Sequence, residues 1–469
     1  DVYKRQIYKN VPYYDHELTI VSDDLFRKQD DVFYVMDKVL EDYEFASKNV
    51  LVSDTKTGPD GQVITQGVVD AFMSRDMLLM GTKLKYDPAT TAEQMEHVAK
   101  YLQAAKDAAW RVISSNRYSL CPSFHDLFST IDISQTAEVK QEMILWRQYA
   151  TGQVTHAIMT YDRDLTVQGQ SGTKDLINSY LCLNGMPINT TAGANPQFKG
   201  DKNADNEMSN RDPRLNQTFK DDFYVQYSEY PGYAQSGYKR WLFLNKQHED
   251  DLESTQSFNI TDAPIIRLGE VMLNYIEAAA ELETLGKYTV TQEDVDATIN
   301  KLRTRASFGG KLAKLQIIGG QPAVNGVVFD DADRDPDVPS FLWEIRRERR
   351  VELVYQGFRL NDLKRWRKIH YLNSDLYPKK TIGCWLEKND QYKNLILCDE
   401  NGIVISNAGN AKGEGYIKVS MTPRNADNGY VLDRNYWDCI PLYEIDYYER
   451  NGSHLEQNPG WPQGGADAE

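Results

Sequence analysis

The sequence predicts a mainly α protein, with a helical N-terminal part and a loop-rich C-terminal part carrying short β-hairpins. Three observations predict it. Apolar residues recur at helical spacing in four long stretches, the stretches begin and end at capping residues, and the segments between them are rich in Asn, Asp, Gly and Tyr with little helical period.

From Asp30 to about Asn49, Phe33, Met36, Leu40 and Tyr43 make one apolar stripe behind an acidic start suited to a helix N-terminus. From Thr91 to Ser115 the stripe is Met95, Val98, Leu102, Ala105, Ala109 and Val112. A third helix is predicted to start at Asp262, with Pro264 in its first turn, and to end at Gly286. Its stripe is Ile265, Leu268, Met272, Tyr275, Ala279 and Leu282. Thr291 and Asp294 then form a capping-box pattern ahead of Val295, Ile299, Leu302 and Ala306, so the last two helices are expected to pair as a hairpin. Ala278, Ala279 and Ala280 permit close helix approach, and tetratricopeptide-like units and an irregular helical bundle both fit.

The fourth helical segment spans about Ser340 to Ile369, interrupted near Gly357, with Val351, Val354, Tyr355 and Phe358 as its stripe. Residues 160–260 read as irregular, and 380–440 hold short β-like runs at Ile403-Val404-Ile405 and Tyr416-Ile417-Lys418-Val419. No Pro- or Ser-rich linker divides the blocks. Residues 1–469 are therefore taken as one unit: 1–150 is its helical part, and 151–469 is its loop-rich part with helices near 264–306 and 340–369.

The 469 residues include 53 Lys plus Arg and 69 Asp plus Glu, a net charge of -16, which opposes binding to nucleic acid or an anionic lipid surface. Hydrophobic residues make up 41%, too many for a disordered chain, and no apolar run reaches membrane-spanning length. The 5 Cys form no C-x-x-C pair, which signals neither a disulfide framework nor a zinc site. No G-x-S-x-G, H-E-x-x-H or P-loop pattern occurs, so no catalysis is expected.

Composition is unusual in its 29 Tyr and 8 Trp. Phe223, Tyr224, Tyr227, Tyr230, Tyr233, Tyr238 and Trp241 crowd a stretch whose Pro231, Gly232 and Gly237 forbid a regular element. Flat rings on loops suit stacking against sugar faces, although the same rings could pin a loop to the core. Tyr224, Tyr230, Tyr233, Tyr238 and Trp241 are the expected ligand-binding residues.

Asp201, Asn203, Asp205, Glu207 and Asp212 fall at positions of a calcium-loop pattern, with Asn206 where the pattern needs Gly. Asp331, Asp333, Asp335 and Asp337 alternate similarly. Calcium at Asp201, Asn203, Asp205 and Glu207 is the one cofactor expectation, set against a solvated acidic loop. Between Glu344 and Lys368 stand nine basic and four acidic residues, expected to form an internal ion-pair network rather than a phosphate site.

Ala263-Pro264-Ile265-Ile266-Arg267-Leu268-Gly269-Glu270 and the following residues to Ala278 resemble a helix signature of the SusD/RagB family of outer-membrane nutrient-binding lipoproteins of Bacteroidetes. Glu344 to Leu353, Gly357-Phe358-Arg359 and Asp362-Leu363-Lys364-Arg365-Trp366 are similar to its second signature. Asn210 to Leu215, Tyr118 with Leu127-Phe128, Ile440-Pro441 with Glu444, and Gln457 to Trp461 resemble further family segments in the same order.

The resemblance implies a tetratricopeptide-like scaffold, no catalysis, and capture of an oligosaccharide, polysaccharide or other nutrient at the outer-membrane surface. The nutrient would pass to a SusC-like TonB-dependent transporter, the expected partner. It implies that the signature residues are mainly structural. A lipid anchor is implied in the full-length precursor, and Asn10-Val11-Pro12-Tyr13 resembles a position inside family members, so a chain shortened at its N-terminus is expected. A helical-repeat adaptor that binds only protein is the alternative.

Overall fold

The computed structural model describes residues 8–54, 56, 58, 61–163, 171–221, 236–251 and 256–463. Three long helices come first: α1 (Val32–Asn49), α2 (Gln66–Lys85) and α3 (Met95–Ser114). Asp31 caps α1 by accepting from the Phe33 amide, which confirms the acidic start read from the sequence. Helix α2 was not legible as a stripe, because it is buried on nearly all sides and so shows no polar face to set a period.

Helices α2 and α3 run antiparallel. Arg111 near the end of α3 donates to Asp70 near the start of α2, and a side chain at Gly81 would press on Leu102 at 3.0 Å. Helix α1 crosses α2 in the same sense, with Ser47 donating to Asp70 and Tyr43 to Asp76.

The third helix begins later than its sequence suggested. Ala263–Arg267 form strand β2, paired antiparallel with strand β1 (Met143–Arg147), and only at Leu268 does helix α7 (Leu268–Glu283) begin. Ile265 and Ile266 favour extended backbone, and Pro264 is tolerated because a two-stranded sheet consists of edge strands. Short helices lie between β1 and β2, among them Ile158–Arg163, α4 (Lys174–Ser179), α5 (Ala204–Met208) and α6 (Pro213–Thr218). Asp212 caps α6 with Pro213 in its first turn, so the Arg-Asp-Pro-Arg segment starts a helix.

Helix α7 is buried along almost its whole length. The capping box at Thr291 and Asp294 forms as expected, but the helix behind it breaks at Thr298 into α8 (Gln292–Ala297) and α9 (Ile299–Arg303). A three-stranded meander follows: β3 (Gln316–Ile318), β4 (Gln321–Val324) and β5 (Val327–Val328). Then come α10 (Ser340–Glu352) and α11 (Arg359–Arg365), separated by a turn in which Gly357 has φ +84°. The turn accounts for the interruption expected near Gly357.

The last sheet combines β6 (Ile382–Glu387), β7 (Leu397–Cys398), β8 (Val404–Ser406) and β9 (Glu414–Lys418) in the order β8-β7-β9-β6, all antiparallel. It contains both β-like runs read from the sequence. Helix α12 (Leu442–Arg450) follows near the C-terminal end. One apolar cluster joins α7, α8, α9 and α10 to the ends of α2 and α3, and a second fills the space between α1, α2 and α3.

A dense ion-pair network lies among α7, α10 and α11, as expected for the arginine-rich segment. Glu352 accepts from Arg214 at 2.9 Å, Arg267 at 2.8 Å and Arg305 at 2.7 Å. Arg365 grips Glu277, and Arg349 donates to Asp362 at 3.0 Å and to Asn274 at 2.9 Å. Burial opposes the charge on Glu352, but Arg305, Arg267 and Arg214 outweigh it and hold the carboxyl down at about 2.

Candidate functional site

Of the sequence-expected ligand residues, Tyr224, Tyr230 and Tyr233 lie outside the described residues. Tyr238 is a core residue and not a platform. It is 1% exposed, and its hydroxyl donates to both oxygens of Glu207 at 3.0 Å. The backbone around it is tied to its neighbours through Gly172 N to Tyr238 O and Lys220 N to Lys239 O, which draws the ring inward. Trp241 is partly buried. It stacks on His125 with centroids 4.4 Å apart, carries Lys246 Nζ 4.6 Å from its ring, and donates from Nε1 to Asn216 O. Its ring serves internal contacts.

The residues of the calcium-loop pattern take these places in the structure. Asn203 caps α5, which occupies the middle of the proposed loop, and Asp205 is exposed. Glu207 is buried against Lys174 and Tyr238, and Asp201 accepts from Lys174 at 2.7 Å and Tyr416 at 2.8 Å. Asp201 and Glu207 thus meet on Lys174, while Asn203 caps a helix and Asp205 faces solvent. Among the described residues no group of three or more His, Cys, Asp or Glu side chains is placed to hold a metal.

The structure instead assembles a cleft of about 630 Å³ that the sequence did not mark as a unit. Helix α10 supplies Trp343, Arg347 and Arg350, α4 supplies Asp175 and Asn178, and the segment 370–380 adds His370, Tyr371, Tyr377 and Lys380. The acidic stretch 331–337 forms one rim, and Glu400 and Asn401 stand opposite it in a turn before β8.

Three aromatic rings pack edge to face in the lining, Trp343 and Tyr377 part-exposed and Tyr371 buried between its contacts with them. Tyr371 meets Trp343 edge to face at 6.4 Å and Tyr377 at 5.6 Å, with His370 against it at 4.8 Å. Polar contacts fix their orientation. Trp343 Nε1 donates to Asp331 at 2.8 Å, and the Tyr371 hydroxyl donates to Asp335. Trp343 and Tyr377 keep partial exposure, so their rings remain reachable.

The alternating aspartates divide into two kinds. Asp331 and Asp335 face inward and are occupied: Asp331 by Arg347 and Trp343, Asp335 by Lys368 and Tyr371. Burial opposes the charge of Asp335, yet Lys368 and Tyr371 hold its carboxyl down at about 2. Asp333 and Asp337 are 62% and 83% exposed at the rim, each only loosely paired, with Lys379 at 3.6 Å and Lys368 at 3.7 Å. Arg334 pins the stretch by donating to Asp330 at 2.7 Å and to Val338 O at 2.8 Å. On the α4 side, Asn178 Oδ1 is buried and has no hydrogen-bond partner among the described residues.

A second cleft, of about 600 Å³, lies between α2, β2 and the turn before α11. Its charged groups are closed on one another, with Arg75 on Glu270 at 2.6 Å and Arg349 on Asp362 at 3.0 Å. That leaves fewer polar groups to meet a ligand.

The composition of the first cleft suits a saccharide. Aromatic faces cover apolar C–H surfaces, and amide and carboxylate groups at the rim meet hydroxyls. Its parts come from residues 175–188, 331–380 and 400–401, and the sequence pattern marks the alternating aspartates and the arginine-rich segment separately without linking them.

The SusD family profile matches residues 127–461, and the chain belongs to the SusD family. No curated protein matches the chain. Among solved structures, it is similar to a SusD-like carbohydrate-binding protein of Bacteroides fragilis, at 18% identity over 88% of this chain and 72% of that one, with a TM-score of 0.54. A second SusD-like protein of Bacteroides fragilis is 19% identical over 98% of this chain and 77% of its own, with a TM-score of 0.56. A SusD superfamily protein of Parabacteroides distasonis is 16% identical over 98% and 75%, with a TM-score of 0.54. At these identities the likeness carries the fold.

Proposed function

We propose that the chain is a non-catalytic saccharide-binding protein that captures an oligosaccharide or polysaccharide segment in the Trp343 cleft. The ligand then passes to a SusC-like TonB-dependent transporter at the outer-membrane surface. The observation that carries the binding step is the aromatic lining of Trp343, Tyr371 and Tyr377, which shares one cleft with exposed aspartates and an amide oxygen unpartnered among the described residues. Sugar rings stack on such linings while their hydroxyls replace water at the rim, and neither step needs a nucleophile or a general base.

Support for the cellular setting comes from family membership. The SusD-like protein of Bacteroides fragilis described as carbohydrate-binding lends its chemistry as an analogy. Family membership also supports attachment through a lipid anchor in the precursor, and among the described residues no helix is long and apolar enough to cross a membrane.

Isothermal titration against oligosaccharides from the common plant and microbial glycans tests the binding step. The expected result is affinity for at least one of them, lowered about ten-fold or more by Trp343→Ala. Tyr377→Ala, at a partly exposed position, should lower affinity in the same direction without a change in melting temperature. Co-purification with a transporter but no saccharide affinity in the intact protein would replace this reading with the protein-only adaptor.

A further inference from the structure

The floor of the Trp343 cleft is not charge-balanced. Arg350 and Lys380 both donate to the same oxygen, Oδ2 of Asp175. Arg359 lines the cleft beside them, makes no hydrogen bond or close ion pair among the described residues, lies 5.8 Å from the Trp366 ring, and feels Asp175 and Asp362 only through space. One carboxylate therefore serves three cations. The next carboxylates inward are already engaged, Asp331 by Arg347 and Asp362 by Arg349 and Arg365.

The excess has a visible cost in the protein's own chemistry. Burial, then the charge of Arg350, disfavour the charged form of Arg359. Lys380 is pulled down to about 8, by burial first and by Arg350 and Arg359 against the help of Asp175. Clustered cations in a partly desolvated floor are relieved by an anion from outside, and a guanidinium with no partner offers the two-pronged geometry that a carboxylate or sulfate accepts.

Resting on the saccharide reading above, we propose that the cleft has an anion subsite formed by Arg350, Arg359 and Lys380, which selects glycans bearing a carboxylate or sulfate substituent. The sugar ring lies against Trp343, Tyr371 and Tyr377, and its acidic group reaches the floor. The exposed Asp333 and Asp337 at the rim, with the net charge of -16, repel a densely charged polymer. The preferred ligand thus carries sparse acidic groups on an otherwise neutral backbone.

The test is isothermal titration of the full chain with three sets of oligosaccharides of matched length: glucuronic-acid-substituted xylo-oligosaccharides, the same molecules with the carboxyl reduced to an alcohol, and sulfated counterparts. The acidic forms are expected to bind about ten-fold tighter than the reduced form, with affinity falling as salt rises. Preference between uronate and sulfate identifies the source of the anion. Arg359→Gln and Lys380→Gln should erase the preference of acidic over reduced forms, whereas Trp343→Ala lowers affinity for all three and leaves their ratio unchanged. Equal binding of acidic and reduced forms by the wild type would overturn the anion subsite and leave the saccharide site standing. A preference that survives both Gln variants would also overturn it. Failure of every oligosaccharide to bind would overturn the saccharide reading beneath it.

Discussion

The inner and outer sides of the arginine-rich helix α10 treat charge in opposite ways. Inward, Arg346 meets Glu281, Arg349 meets Asp362, and Arg214, Arg267 and Arg305 converge on Glu352 with Glu142 in support. Outward, Arg350 shares Asp175 with Lys380, and Arg359 has no ion-pair partner among the described residues. A buried charge with no partner costs several kcal/mol, so these interior arginines meet carboxylates, while buried Arg211 is held by the backbone carbonyls of Glu207, Ile177 and Tyr180. The cleft is open to water and can leave a cation waiting. Balanced charge marks scaffold here, and unbalanced charge marks a surface built for something else.

The largest effect that could break this contrast is on stability. Glu352→Ala leaves three guanidinia without their shared acceptor and should cost about 3–5 kcal/mol in chemical denaturation. Arg359→Gln should cost under about 1 kcal/mol by the same measurement, as for a part-exposed side chain without partners. Comparable losses would erase the distinction between the two sides.

Acid sharpens the contrast further. Glu281 and Glu352 are held at about 2 in the folded chain against an ordinary 4.5; burial opposes this shift, but Lys85 with Arg346, and Arg305 with Arg267, more than offset it. Groups whose folded pKa is depressed add stability that is fully present above about 4.5 and is lost as pH falls toward about 2. Unfolding free energy measured across that window should therefore drop steeply, and Glu281→Gln should flatten the slope.

The smallest expected effect separates the two candidate tryptophans. Trp343 faces the cleft, whereas Trp241 is taken up by His125 and Asn216. Trp241→Ala should change saccharide affinity by less than about two-fold in titration. A loss as large as that of Trp343→Ala would move the site to the Trp241 loop.

Much of the scaffold was legible because amphipathic helices announce themselves by period. The stripes of α1 and α3, the capping box at Thr291 and the break at Gly357 all lie where the sequence suggested. Helix α2 escaped because burial on nearly all sides removes the period, and Pro264 misled because it can begin a helix or sit in an edge strand, a choice settled by pairing with Met143–Arg147. The site was far less legible. Local crowding of aromatics drew attention to Tyr238 and Trp241, one in the core and one stacked internally. Trp343, Tyr371, Asp175 and Lys380 become neighbours only through tertiary folding, which no spacing rule reports.

The most direct measurement is a crystal structure of the chain with an oligosaccharide identified by titration. Sugar rings should lie on Trp343, Tyr371 and Tyr377 with hydroxyls at Asp333 or Asn178. A ligand seated instead in the cleft between α2 and β2, or on Trp241, with the Trp343 cleft left to water, would contradict the site proposed for this protein.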